Sequence, residues 1–126
     1  ENLVRGPAGD LEKITGWAQE SGAMITLDIG HASSCQRVAQ GELSLIDCVD
    51  ICADRLVEAH VYEKETDRHL PITEIAPLKP VLDRLLETDC TWWTVELDEP
   101  HDILSTRKLL VKHLVSRQVA VFPSSG

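Results

Sequence analysis

Four residues of metal-ligating type recur along this chain at about the interval of one strand-plus-helix unit. Glu1, Asp28, His60 and Glu96 are separated by gaps of 27, 32 and 36 residues. The last three close, or nearly close, short apolar runs: Met-Ile-Thr-Leu-Asp at 24–28, Leu-Val-Glu-Ala-His at 56–60 and Trp-Trp-Thr-Val-Glu at 92–96. Parallel barrels assemble their sites from the C-terminal ends of successive strands, so one ligand per strand end is the sequence form such a site takes. Glu1 stands where another strand would end, and the chain reads as a piece of something longer.

Between these runs the pattern is helical. Asp10 is a suitable N-cap, with Leu11, Ile14, Trp17 and Ala18 at helical spacing behind it and Gly22 placed to end the helix. A buried strand is expected at 24–27 and a loop carrying His31 at 29–34, followed by a short helix at 35–40 that stops at Gly41. Ser44 caps a helix to about Ala53, with Asp47 at its third position. The second strand falls at 56–62, a polar loop at 63–73, a helix at 76–87 with Pro77 and Pro80 in its first turns, and the third strand at 92–97. Asp102 is expected to cap a last amphipathic helix, and residues 117–126 form a tail in which 119–122 could be a short strand. Alternation of this kind argues for an α/β fold with parallel strands and right-handed crossovers. Residues 1–126 read as one domain.

Composition narrows the function. The 126 residues carry 12 basic and 21 acidic side chains, a net charge of -9. No Lys/Arg cluster is present to neutralise phosphates, so nucleic acid is not the expected partner. A bound cation could offset part of the acidity. The four cysteines, Cys35, Cys48, Cys52 and Cys90, form no CxxC pair, and Cys48 and Cys52 are expected in the core. No long apolar run is present, so no membrane partner is expected, and a reduced cytoplasmic setting is the expectation.

Each chemistry-bearing residue also has a structural explanation. Asp28 could simply cap the next turn, and His60 could be a satisfied core histidine. Glu96, flanked by Val95 and Leu97, is harder to place, because burying a carboxylate is costly unless it is paired or metal-bound. Glu58 shares the strand parity of His60 and could support it. Asp67, Arg68 and His69 could supply further ligands or a substrate clamp, or form an ordinary solvated cluster.

Taken with their order, the segments Glu1-Asn2, Leu27-Asp28-Ile29-Gly30-His31, Ala59-His60-Val61, Asp67-Arg68-His69-Leu70-Pro71 and Thr94-Val95-Glu96-Leu97 resemble the C-terminal half of a xylose isomerase-like TIM barrel. That superfamily holds sugar isomerases and epimerases, inosose dehydratases and type-two apurinic endonucleases. The resemblance implies a partial (β/α)8 barrel of three to four βα units. It implies that Glu1, Asp28, His60 and Glu96 bind one divalent metal, Mn first, with Mg, Co, Fe or Zn as alternatives. Glu1 and Glu96 would double as acid and base beside a metal-held carbonyl of a ketose or polyol, and His31 and Arg68 would contact the substrate. The endonuclease branch implies additional metal ligands at Asp67 and His69. A half-barrel leaves two strand edges and an apolar face open, so self-association, or a separate N-terminal half, is expected. A catalytically idle fragment is the remaining alternative.

Overall fold

The computed structural model describes residues 1–121. Three short parallel strands form its central sheet in the order β1-β2-β5: β1 at Ile25–Asp28, β2 at Leu56–His60 and β5 at Trp92–Thr94. α1 (Leu11–Ser21) precedes β1; α2 (Ile29–Ser34), α3 (Gln36–Ala39) and α4 (Leu45–Cys52) lie between β1 and β2, α5 (Lys79–Leu86) lies between β2 and β5, and α6 (Pro100–Ser116) follows β5. A two-stranded antiparallel ribbon, β3 (Lys64–Glu65) with β4 (His69–Leu70), leaves the end of β2. The sheet is open, with β1 and β5 at its edges, and no barrel closes among the described residues.

Local chemistry sets most boundaries. Asp10 accepts from the backbone amides of Glu12 and Lys13, and Gly22 takes the left-handed conformation (φ 77°) that ends α1. Ser44 and Asp47 form a reciprocal capping box on α4. Alternation on the strands sorts the two faces of the sheet. Leu27, Ala59 and Val61 are buried in one apolar core with Leu11, Ile14 and Ala18 of α1, Val49 of α4, Leu82 and Leu85 of α5, and Leu110 of α6. Cys48 and Cys52 lie in the same core, and burial pushes both thiols up to about 12. All four cysteines are free and buried, Cys35 and Cys90 as well as the pair expected in the core.

Several expectations are corrected. The segment at 29–34 is the helix α2, because Asp28 caps it through His31 N. Asp102 lies inside the first turn of α6, whose cap position is Glu99. The third strand stops at Thr94, so Glu96 sits two residues beyond it. Met24 precedes β1 and is exposed, and Trp17, at helical spacing with the apolar residues of α1, is half exposed. The polar loop contains the β3-β4 ribbon, and β2 ends at His60 rather than 62. No strand forms at 119–121, and Phe122 with the rest of the tail lies outside the described residues.

Helices α5 and α6 are joined by one charged contact. Asp83 accepts from the buried His113 (2.8 Å) and from Arg117 (3.1 Å to Nε). Burial works to raise the Asp83 pKa, and the bonds from His113 and Arg117 outweigh it, leaving the carboxyl below its ordinary value of 3.8. A carboxyl depressed by folding stabilises the native state above its unfolded pKa and loses that contribution as pH falls through the folded value. Asp83→Ala, which also strands the His113 ring, is expected to cost about 1–3 kcal/mol at neutral pH. Denaturant melts should show the gap to wild type narrowing as pH drops below 3.8.

Candidate metal centre

The C-terminal ends of the three parallel strands carry the site. Register places Asp28 level with His60, and His60 level with Thr94. Glu96 keeps the parity of Thr94, so it reaches the same face one step further along the chain. Glu1 is brought to this point by its neighbour. The buried Asn2 side chain accepts from Asp28 N (2.7 Å) and donates to Asp28 O (3.0 Å). It occupies the hydrogen-bonding positions that a neighbouring strand would take on the edge of β1.

The expected four residues converge. Glu1, Asp28, His60 and Glu96 each offer one ligand atom, all within 4.8 Å of one another. His60 Nδ1 lies 2.9 Å from Glu96 Oε2, 3.2 Å from Glu1 Oε2 and 3.5 Å from Asp28 Oδ2. None of these approaches is aligned as a hydrogen bond, so His60 Nδ1 and Asp28 Oδ2 are sealed from solvent and lack a hydrogen-bond partner. Asp28 thus divides its two oxygens: Oδ1 caps α2 (2.7 Å from His31 N), and Oδ2 faces the imidazole. Three carboxylates around one ring nitrogen repel one another by about 1 kcal/mol per pair at 4 Å in water, and by more where water is excluded. A divalent cation relieves that repulsion, and oxygen ligands with a single imidazole suit Mn, Mg, Fe, Co or Zn. The residues present fit such an ion.

The far side of His60 is supported as well. His60 Nε2 faces Glu58 Oε1 at 3.5 Å. Glu58 is fixed from both neighbouring strands, accepting from Thr94 Oγ1 (2.8 Å) and Thr26 Oγ1 (3.1 Å). The Thr94 hydroxyl, then that of Thr26 and the His60 ring, hold the Glu58 carboxyl below its ordinary range against the opposing effect of burial. A carboxylate behind a ligating histidine fixes its ring orientation and tautomer.

A second group lies alongside. His31, Glu65 and His69 also bring ligand atoms within 4.8 Å of one another. His31 Nδ1 is 2.9 Å from Asn2 O, and His69 Nδ1 is 2.9 Å from Glu96 O. A carbonyl only accepts, so each Nδ1 carries a proton and Nε2 is the nitrogen through which either ring could bind a cation. His69 Nε2 lies 3.0 Å from Glu65 Oε2, which is buried without a hydrogen-bond partner.

His69 therefore joins a ligand group, but Asp67 does not: its carboxylate accepts from Thr66 Oγ1. Glu65, on the ribbon strand that pairs with His69, takes the place expected for Asp67. The ribbon explains the exchange, since its antiparallel register sets Glu65 directly opposite His69 and leaves 67 in the turn. Arg68 lies 3.9 Å from Asp102 and is drawn into neither group. Three residues without an expected role matter here: Asn2, Glu65 and Tyr62. Tyr62 is fully buried and stacks on His69 (centroids 4.2 Å apart, planes at 15°). Burial first, then the carboxylates of Asp28, Glu65 and Glu96, raises its pKa far above 10, so it stays a neutral phenol. Only its parity with His60 could have pointed to it in advance.

No protein-family model matches this sequence, and no solved structure matches it. It is 36% identical over 115 residues to the uncharacterized protein MJ0008 of Methanocaldococcus jannaschii, an alignment that covers 90% of this chain and 49% of that protein. The chain therefore spans about half the length of the curated relative it matches.

Proposed function

We propose that this chain carries the divalent-metal centre of a sugar isomerase or epimerase, built on three consecutive units of a (β/α)8 barrel. The observation that carries the proposal is the convergence of Glu1, Asp28, His60 and Glu96 with two buried ligand atoms left without hydrogen bonds. The order of exposure supports the division of roles. Asp28 is fully buried and the His60 side chain only 16% exposed, whereas the side chains of Glu1 and Glu96 are 37% and 41% exposed. Asp28 and His60 form the floor of the site, and the two glutamates stand at its open side, where a substrate arrives.

The cation, when bound, supplies a positive centre that holds the carbonyl and hydroxyl oxygens of a ketose or polyol and acidifies the carbon between them. Glu1 and Glu96 then act on that carbon from their exposed positions, one taking the proton and the other returning it. His31, held by Asn2 O, orients a substrate hydroxyl, and Arg68 is free to turn from Asp102 towards a polar end of the substrate. Mn is the expected ion; a second cation in the His31-Glu65-His69 group would occupy His31 Nε2, so His31 orients substrate only in the single-metal form. The inner sheet face, with Glu58, Thr94 and the exposed Trp92, is the wall that a second copy or an N-terminal half-barrel would cover. Among the described residues no helix is long and apolar enough to cross a membrane, consistent with action on a dissolved sugar.

The second group also favours one other reading, a phosphodiesterase of the apurinic-endonuclease type, where more than one cation is needed. The net charge of -9 counts against it. Mn-loaded protein incubated with a panel of ketoses should exchange a carbon-bound proton for deuterium. Cleavage of an abasic-site duplex without such exchange would overturn the isomerase assignment in favour of the nuclease.

The metal centre itself is tested by stability. At a free ion concentration a hundred times Kd, Mn2+ is expected to stabilise the fold by about 2.7 kcal/mol. Asp28→Asn separates two functions, because asparagine caps a helix as well as aspartate does but is a poor replacement for a buried anionic ligand. Without metal this variant should melt at or above the wild-type temperature. With Mn2+ it should gain almost nothing. An equal Mn2+ gain in both proteins would remove Asp28 from the ligand set.

A further inference from the structure

The Gly30-Tyr62 contact gives the candidate metal centre a feature that its ligands do not explain. The Tyr62 ring lies flat against the first turn of α2, directly over Gly30, so closely that any Cβ at position 30 would overlap the ring atoms Cε2, Cζ and Cδ2. Gly30 is helical with no positive φ, so glycine is required there by the approach of the ring and not by the backbone. On its other side the ring stacks on His69, and it meets the His31 ring edge-on at 6.3 Å. Two elements, α2 and β4, thus hold the phenol in one place, yet its hydroxyl is buried without a hydrogen-bond partner. A buried hydroxyl left unpaired is costly, so this position is kept for some other reason.

Asp28 Oδ2 is the second orphan, also sealed from solvent. Its neighbours are accounted for one at a time. His31 Nδ1, 3.3 Å away, gives its proton to Asn2 O. His60 Nδ1, 3.5 Å away, must present a lone pair to bind a cation and so cannot donate. The Tyr62 ring and Asp28 Oδ2 flank the same His31 imidazole, the ring edge-on to it and the oxygen 3.3 Å from its Nδ1, so the two orphaned groups share one buried space. We propose that Tyr62 is a positioning residue of the metal centre: its hydroxyl donates to Asp28 Oδ2 in the loaded protein and aims that oxygen at the cation. Gly30 is the partner that lets the ring come close enough. This rests on the metal-centre assignment above but adds a residue, and a reason for the glycine, that ligand spacing does not contain.

The test is calorimetric titration of the whole chain with Mn2+, repeated on Tyr62→Phe, Gly30→Ala and the double variant, with apo melting temperatures alongside. Tyr62→Phe keeps the ring and its stacking. It should weaken Mn2+ binding by about 10–100-fold, the usual effect of removing a group that orients a ligand. Its apo melting temperature should stay level or rise, because an unpaired buried hydroxyl is gone. A purely structural role would instead lower the melting temperature and leave affinity intact, and that result overturns the proposal. Gly30→Ala displaces the ring while keeping the hydroxyl, so it too should weaken binding, and adding Tyr62→Phe to it should cost little more. Losses that simply add would show the two residues acting separately and would also overturn it. Wild-type protein that binds no Mn2+ would remove the metal centre and this proposal together. Equal binding by wild type and Tyr62→Phe would remove this proposal alone.

Discussion

Everything around this site answers to one electrostatic demand: three carboxylates are pressed against a single imidazole nitrogen. Folding brings Glu1, Asp28 and Glu96 together from positions spread over the chain, and at least one of them, Asp28, is wholly removed from water. A buried charge of this kind is tolerated only when it is paired, hydrogen-bonded or bound to a metal. The structure meets part of the demand through the backbone. Parallel register sets Asp28 beside His60, and the Asn2 amide grips both the N–H and the C=O of Asp28. The same grip blunts the exposed edge of β1 and fixes Glu1 one residue away. If Asn2 loses its bonds, the edge opens and the first ligand is released together.

The rest of the demand is met by giving every ring nitrogen a fixed duty. His31 and His69 each tie Nδ1 to a backbone carbonyl, those of Asn2 and Glu96. His60 is turned the other way, with Nδ1 towards the carboxylates and Nε2 towards Glu58. Glu58 in turn is held by a threonine on each flanking strand. The two ligand groups are therefore mechanically connected: His69 depends on the backbone of Glu96, and His31 on that of Asn2.

Legibility in the sequence followed the kind of interaction involved. The helix limits at Asp10, Gly22 and Ser44 were readable because caps are local: the side chain and the amide it bonds lie within a few residues. The convergence of Glu1, Asp28, His60 and Glu96 was readable because parallel strands repeat at similar intervals. What could not be read was pairwise and distant. Nothing near position 65 distinguishes Glu65 from Asp67 until the ribbon register sets 65 opposite 69. Asn2 looks like an ordinary polar residue until β1 is found to lack a neighbour. Gly30 in Leu-Asp-Ile-Gly-His invites a backbone explanation, but its cause is the Tyr62 ring, 32 residues further along the chain. Trp17 was misplaced for the opposite reason, since helical spacing puts it on the apolar side of α1 while the helix turns that edge to solvent.

The two faces of the sheet also separate stability from chemistry. One face is closed by α1, α4 and α5 over Leu27, Ala59 and Val61, and its energy comes from apolar burial that no cation affects. The other face holds Thr26, Glu58, His60 and Thr94, which contribute charge and hydrogen bonds but little apolar area. Folding on the first face brings the carboxylates and His60 together on the second, so the unfolded chain has no comparable cluster, and under the proposed function any metal affinity would add to folding free energy. The converse also holds. Because the carboxylates repel until a cation is present, the apo protein carries a local strain at the strand ends that the apolar core must outweigh. Substitutions that neutralise one carboxylate relieve that strain while removing an anionic partner for a cation, so apo stability and metal affinity should move in opposite directions at Asp28; at Tyr62 the opposition has another cause, the loss of an unpaired hydroxyl, and at Leu27 or Val61 in the core both should fall together.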